Sequence, residues 1–240
     1  MRALLVAIGF LTRLPVPSQV FDDKAAQKHS LAWYPAVGLV LGLLLWAVSG
    51  VLHGVSPLLS AAVLLVCWVG LTGALHLDGL ADTADAWIGG IGDRERTLAI
   101  MKDPRCGPAA VVALVLVLLL KFAALASLPA TPVTALLLAP LLARMALTGL
   151  FLWLPYVRPG GLGAGLEESP RRNSLAALLA GSVFCLCFGW HGLLAWLLAL
   201  SVFMLWSRAC RIRLGGFTGD TAGALAEMIE AAVLVSLAVA

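Results

Sequence analysis

The chain has 240 residues, 61% of them hydrophobic and only 12% charged, with a mean hydropathy of +0.99 and a formal net charge of +3. Ordinary soluble domains use about 45–50% apolar residues, so these figures exclude that class and place the chain in a lipid bilayer. The apolar stretches recur along the whole length, and residues 1–10 lack the small-residue cleavage pattern of a secretory signal, so residues 1–240 read as a single membrane domain.

The basic residues carry orientation. Lys and Arg cluster at positions 2–28, 94–105, 158–172 and 208–213, and only Lys121 and Arg144 lie inside apolar runs. Four clusters on alternate connections are the positive-inside pattern, which puts those segments in the cytoplasm. The five cysteines, Cys67, Cys106, Cys185, Cys187 and Cys210, show no CxxC spacing, so neither a disulfide framework nor a thiolate metal site is supported.

Residues 1–14, MRALLVAIGFLTRL, are too short to span and stop at Pro15 and Pro17. They predict a helix on or dipping into the inner interface, or one buried in the bundle. Residues 18–30 are polar and basic, a short cytoplasmic segment. A first span is expected over 31–52, opened by Trp33 and Tyr34 at an interface, with a turn at 53–57 and a return over 58–77. The Gly70/Gly73 pair suggests close helix packing there.

That return delivers His76-Leu77-Asp78-Gly79-Leu80-Ala81-Asp82-Thr83-Ala84-Asp85-Ala86, with three carboxylates within eight residues. On a helix, positions four and seven apart share one face. Like charges so close oppose one another's ionisation unless a cation neutralises them, and a hard divalent ion such as Mg²⁺ is the simplest resolution. A solvent-facing helical surface is the plainer alternative, disfavoured by the cost of acids at a membrane boundary.

Residues 86–107 form the longest charged loop, flexible at Gly89, Gly90 and Gly92, with Lys102 and Arg105 near the acids. These cations read equally as topology anchors, and no GxxxxGK[ST] pattern indicates a nucleotide-hydrolysing loop. A third span is expected over 108–128, carrying Lys121, which can snorkel to the outer interface. After an outer turn at 129–132 comes a fourth span over 133–154. Its Arg144 should face the bundle interior and meet an acid or a phosphate, a structural ion pair being the alternative.

Residues 155–173 are a second functional-looking loop with four glycines, from which Arg158 is a candidate phosphate contact. The apolar run 174–206 reads as two short spans divided at Gly189-Trp190-His191-Gly192. Three arginines, Arg208, Arg211 and Arg213, then precede Gly215, Gly216 and Gly219, and Asp220 opens a final span to Ala240. On that helix Asp220 and Glu227 share a face, with Glu230 on its flank.

With HLDGLADTADA and LGGFTGDTAGA in hand, the sequence resembles the cobalamin synthase family, the adenosylcobinamide-GDP ribazoletransferases of vitamin B12 assembly. The resemblance covers TRLPVP, HLDGLADTADA, MKDPRCG, Arg144 and the GGFTGDTAGA run before Glu227 and Glu230. It implies an integral inner-membrane enzyme requiring Mg²⁺ that joins adenosylcobinamide-GDP to α-ribazole or its 5′-phosphate and releases GMP. Asp78, Asp82 and Asp85 match the family's first acidic motif, Asp220 the acid of its GD motif, and Lys102, Asp103 and Arg105 its MKD-x-R stretch. The first motif is also similar, in part, to the acidic signature of CDP-alcohol phosphotransferases, but no arginine follows Ala81.

Residues and resemblance together nominate Asp82, Asp85, Lys102 and Arg105 as catalytic, and His76, Asp103, Arg144, Arg158 and Arg213 as substrate-binding. Asp78, Asp82, Asp85, Asp220 and Glu227 are the nominated Mg²⁺ ligands. The expected fold is all-α, a polytopic membrane bundle of about seven transmembrane helices plus the N-terminal helix. The bilayer and the two substrates are the expected partners, nucleic acid is not, and pairing into a homo-oligomer is left open. A transporter of a charged solute is the alternative function; it would place its acids at mid-membrane, not at the cytoplasmic ends.

Overall fold

The computed structural model describes residues 1–129, 132–161 and 163–240, so residues 130 and 131 of the expected outer turn lie outside the described residues. Eleven α-helices follow in order: α1 (Arg2–Leu11), α2 (Lys24–Ser30), α3 (Tyr34–Val51), α4 (Pro57–Thr72), α5 (Leu75–Gly89), α6 (Arg94–Ile100), α7 (Pro108–Ser127), α8 (Val133–Trp153), α9 (Arg171–Leu186), α10 (Gly189–Leu214) and α11 (Gly219–Val239). The fold is all-α. Among the described residues, five helical stretches are long and apolar enough to cross a membrane: Lys24–Val51, α7, α8, α10 and α11, with the bent pair α4–α5 making a sixth. The expected seven is not reached on length and composition, because α9 has only 16 residues.

Helix α8 is the axis of the bundle; Ala135 to Leu150 are buried without interruption. Pro140 interrupts its ladder and leaves the Leu136 carbonyl without its usual N–H donor. There α3 comes closest: a Cβ at Gly42 would lie 2.6 Å from the Leu136 oxygen, and one at Gly38 would run into that of Pro140. The close packing therefore sits at Gly38 and Gly42, a small-xxx-small pair, and not at Gly70, which faces open space.

Between α4 and α5 the chain turns by 87°. Gly73 (φ 62°) and Ala74 (φ 58°) are both left-handed, which ends α4 and restarts the helix in a new direction. The Arg13 backbone N–H donates to the Leu71 carbonyl at 2.7 Å, satisfying one of the acceptors that α4 leaves open at its end. Helix α1 thus packs into the bundle along Val6, Ala7 and Leu11.

Several side chains depart from their expected places. Tyr34 is buried and stacked on Phe10, with ring centroids 6.2 Å apart, so it is a packing residue and not an interface anchor. Lys121 does not snorkel outward; it is buried between two glutamates. The division of the 174–206 run falls at Cys187–Phe188, just before the expected glycines. There α9 and α10 form an antiparallel hairpin, with the Trp196 indole N–H donating to Ser182 Oγ at 3.0 Å. The arginines of 208–213 are the last turns of α10, not loop.

The four basic segments meet at one end of the bundle. Lys28 pairs with Glu168, and Arg94 Nε donates to the Leu214 carbonyl at 2.7 Å. The strand-like piece at Tyr156 runs parallel to Phe217 through hydrogen bonds of 2.9 and 3.0 Å.

Candidate active site

The site is built where α5 crosses the start of α11. A Cβ at Gly79 would lie 2.7 Å from the Asp220 carbonyl oxygen, and one at Gly223 would lie 3.1 Å from that of His76, so the two backbones touch. Thr218 caps α11 by a reciprocal box, its hydroxyl accepting from the Thr221 N–H at 3.2 Å while Thr221 Oγ1 accepts from the Thr218 N–H at 2.9 Å. That cap sets Asp220 in the first turn, where the helix dipole favours a carboxylate.

Across this contact the acidic face of α5 meets α11. The Asp82 carboxylate lies in the field of Asp78, Asp220 and Asp85, opposed by Arg158. Arg158 reaches in from the segment after α8 and bonds Asp220 at 2.6 Å. Tyr156, beside it, is half-buried, and burial pushes its phenol above the ordinary value.

Asp85 makes contacts that the sequence did not announce. It accepts hydrogen bonds from the Gly107 N–H at 2.6 Å and the Ala110 N–H at 3.0 Å, so a carboxylate on α5 caps the N-terminus of α7. The nominated cations divide as well. Arg105 is paired with Asp103 at 2.5 Å on the exposed loop, and this hydrogen bond holds Asp103 at about 2. Lys102 is exposed and has no partner among the described residues.

Arg213 lies 4.8 Å over the Trp87 ring and donates to the Trp87 carbonyl at the C-terminal end of α5. It fastens α5 to α10. His76, Arg144 and Glu227 lie deeper, in a buried network. Lys121 bonds Glu227 at 2.6 Å and Glu230 at 2.5 Å, and Arg144 bonds Glu230. Glu227 and Arg144 thus belong to a set of two cations and two anions, and Arg144 keeps Nε and Nη2 unpartnered among the described residues. His76 borders it with Nδ1 unpartnered among the described residues.

Sequence reasoning did not single out Tyr156, Thr218, Trp87 or Arg94. Only Thr218 carried a readable signal, its spacing to Thr221 before an apolar helix.

The geometry bears on Mg²⁺ through the donor set. Among the described residues no three His, Cys, Asp or Glu side chains converge into a ready cage. The carboxylates of Asp78, Asp82 and Asp220 nonetheless fit Mg²⁺, which keeps several waters and binds through one or two carboxylates plus substrate phosphates.

A family model described as cobalamin-5-phosphate synthase matches residues 3–238. The chain belongs to this family. Adenosylcobinamide-GDP ribazoletransferase of Stutzerimonas stutzeri (strain A1501) is 58% identical over 240 residues, covering 99% of this chain and 98% of the relative. The protein of the same name from Pseudomonas aeruginosa (strain UCBPP-PA14) is 56% identical with the same coverage. That of Pseudomonas putida (strain GB-1) is 56% identical over 99% of both chains. No solved structure matches. Membership spans the membrane helices and every segment that builds the site.

Proposed function

We propose that this chain is an adenosylcobinamide-GDP ribazoletransferase, moving the adenosylcobinamide phosphate moiety onto α-ribazole or α-ribazole 5′-phosphate. The products are adenosylcobalamin or its 5′-phosphate and GMP. The observation that carries this reading is the meeting of the α5 acidic face with Asp220 and Arg158, in a chain more than half identical to named ribazoletransferases along its length. The mid-bundle charges, which a solute carrier would leave open to its cargo, are bound to one another.

In the reaction the ribazole hydroxyl oxygen forms a bond to the phosphorus on the cobinamide side of the pyrophosphate. The bond from that phosphorus to the bridging oxygen breaks, GMP departs with the bridging oxygen, and the hydroxyl proton is released. Asp78, Asp82 and Asp220 are the residues to hold Mg²⁺, which supplies neutralisation of phosphoryl charge when bound. Arg158 is held at the edge of this carboxylate group, where it meets the phosphates, and Lys102 is free to add a second cation. Asp85 and Arg213 position α5 by fixing its end to α7 and α10.

The site opens to the cytoplasm from a bacterial inner membrane. Parity supports a reading of seven crossings: α9 leaves the end where Arg158 and Phe217 meet and α10 returns to it, so α9 counts as a crossing despite its length. Incubating the purified protein with adenosylcobinamide-GDP, α-ribazole phosphate and Mg²⁺, with product mass as readout, tests the assignment. Intact substrates after prolonged incubation overturn it.

A further inference from the structure

A second site lies on the opposite side of α8. Helices α8, α9 and α10 line an open groove of about 770 Å³ whose wall is mostly apolar, and Arg208 and Arg211 stand at one end. On α8 the lining runs from Leu142 to Trp153, about 16 Å at 1.5 Å per residue; on α10 it runs from Trp196 to Ile212, about 24 Å. Half of a hydrocarbon core is ~15 Å, so the groove matches the depth of one leaflet.

The cationic end is exposed. Neither Arg208 nor Arg211 meets a carboxylate among the described residues; Arg211 only donates to the Trp153 carbonyl at 3.3 Å. Two guanidinium groups at the end of an apolar slot are the complement of one ligand, a phosphate ester carrying a hydrocarbon chain.

We infer that this groove is a binding site for an anionic phospholipid, with the headgroup phosphate at Arg208 and Arg211 and one acyl chain between α8 and α10. Arg208 and Arg211 share the end of the bundle where the basic segments meet, so the lipid comes from that leaflet. The arginines select its charge, and the apolar wall selects a lipid over a free phosphate.

The test is native mass spectrometry of the full chain in detergent, offered equal phosphatidylglycerol and phosphatidylcholine with the same acyl chains. Phosphatidylglycerol is expected to be retained preferentially. Arg208→Gln, which removes no recorded contact, should cut that preference about fivefold, the worth of one arginine near a lipid surface. Leu200→Trp, filling the slot, should lower retention of both lipids. Equal retention of the two lipids by the unaltered chain overturns the proposal without need of any variant. Displacement of the lipid by inorganic phosphate or by adenosylcobinamide-GDP also overturns it, by assigning the groove to a bare anion or to the substrate.

Discussion

Arg158 and Asp220, 62 residues apart in the chain, form an ion pair of 2.6 Å that joins the segment after α8 to the start of α11. The pair is partly exposed, the Asp220 side chain at 14% and that of Arg158 at 30%. A substrate phosphate can therefore reach both the cation and whatever the carboxylate holds.

Removing either member should damage turnover far more than folding. Asp220→Asn and Asp82→Asn should each lower the rate by about 100-fold or more, the scale of losing several kcal/mol of charge stabilisation. Arg158→Gln should raise KM for the GDP-activated substrate as well. Activity assays on membrane-inserted protein check this, and near-normal rates for Asp220→Asn would remove the acid from the site.

Asp85 should behave as a cap. Asp85→Ala leaves the Gly107 and Ala110 N–H groups open and should cost about 1–2 kcal/mol, the usual loss for a helix cap. Thermal unfolding in detergent reads this directly. An unchanged Tm with abolished activity would return Asp85 to the metal ligands.

The buried network should be intolerant of partial removal. Glu230→Gln strips a charge shared by Lys121 and Arg144, and breaking such a buried pair costs about 3–5 kcal/mol. Denaturant titration in mixed micelles should show it, and a combined Lys121→Met, Glu227→Leu change should recover part of the loss. Additive destabilisation by those two changes would contradict the network.

Topology can be read with single cysteines in a chain whose own cysteines are replaced. Val55→Cys, between α3 and α4, should react with an impermeant thiol reagent added outside the cell. Gly165→Cys, at a position with open space around it, should be protected until the membrane is opened. Outside labelling at 165 would invert the orientation.

Direct transfer predicts one inversion at phosphorus. A substrate made chiral at the cobinamide-side phosphorus, with product configuration read by ³¹P NMR, should show it. Retention would require two displacements and a covalent enzyme intermediate.

What the sequence revealed of this architecture depended on how local the cause was. The spans α7, α8 and α11 were legible because prolines, glycines and charges bracket long apolar runs, and the shared face of Asp78, Asp82 and Asp85 followed from helical spacing alone. The α4–α5 turn was not legible, since nothing in Gly73-Ala74 announces a left-handed alanine. The fates of Lys121, Arg144 and Glu227 were hidden for another reason: each is fixed by partners 86 to 109 residues away. The contact of Arg213 with Trp87 was not legible because a guanidinium suits a phosphate and an indole face equally well.

The pairing of Lys121 and Arg144 with acids on the last helix has a consequence for biogenesis. Glu230 is made 109 residues after Lys121 and 86 after Arg144. At ~5–20 residues per second of synthesis, those two cations wait several seconds for their counter-charges while α7 and α8 leave the ribosome. A nascent chain halted before α11 therefore holds two unneutralised charges in its transmembrane segments, so the last helix is the one that completes the charge balance of the bundle.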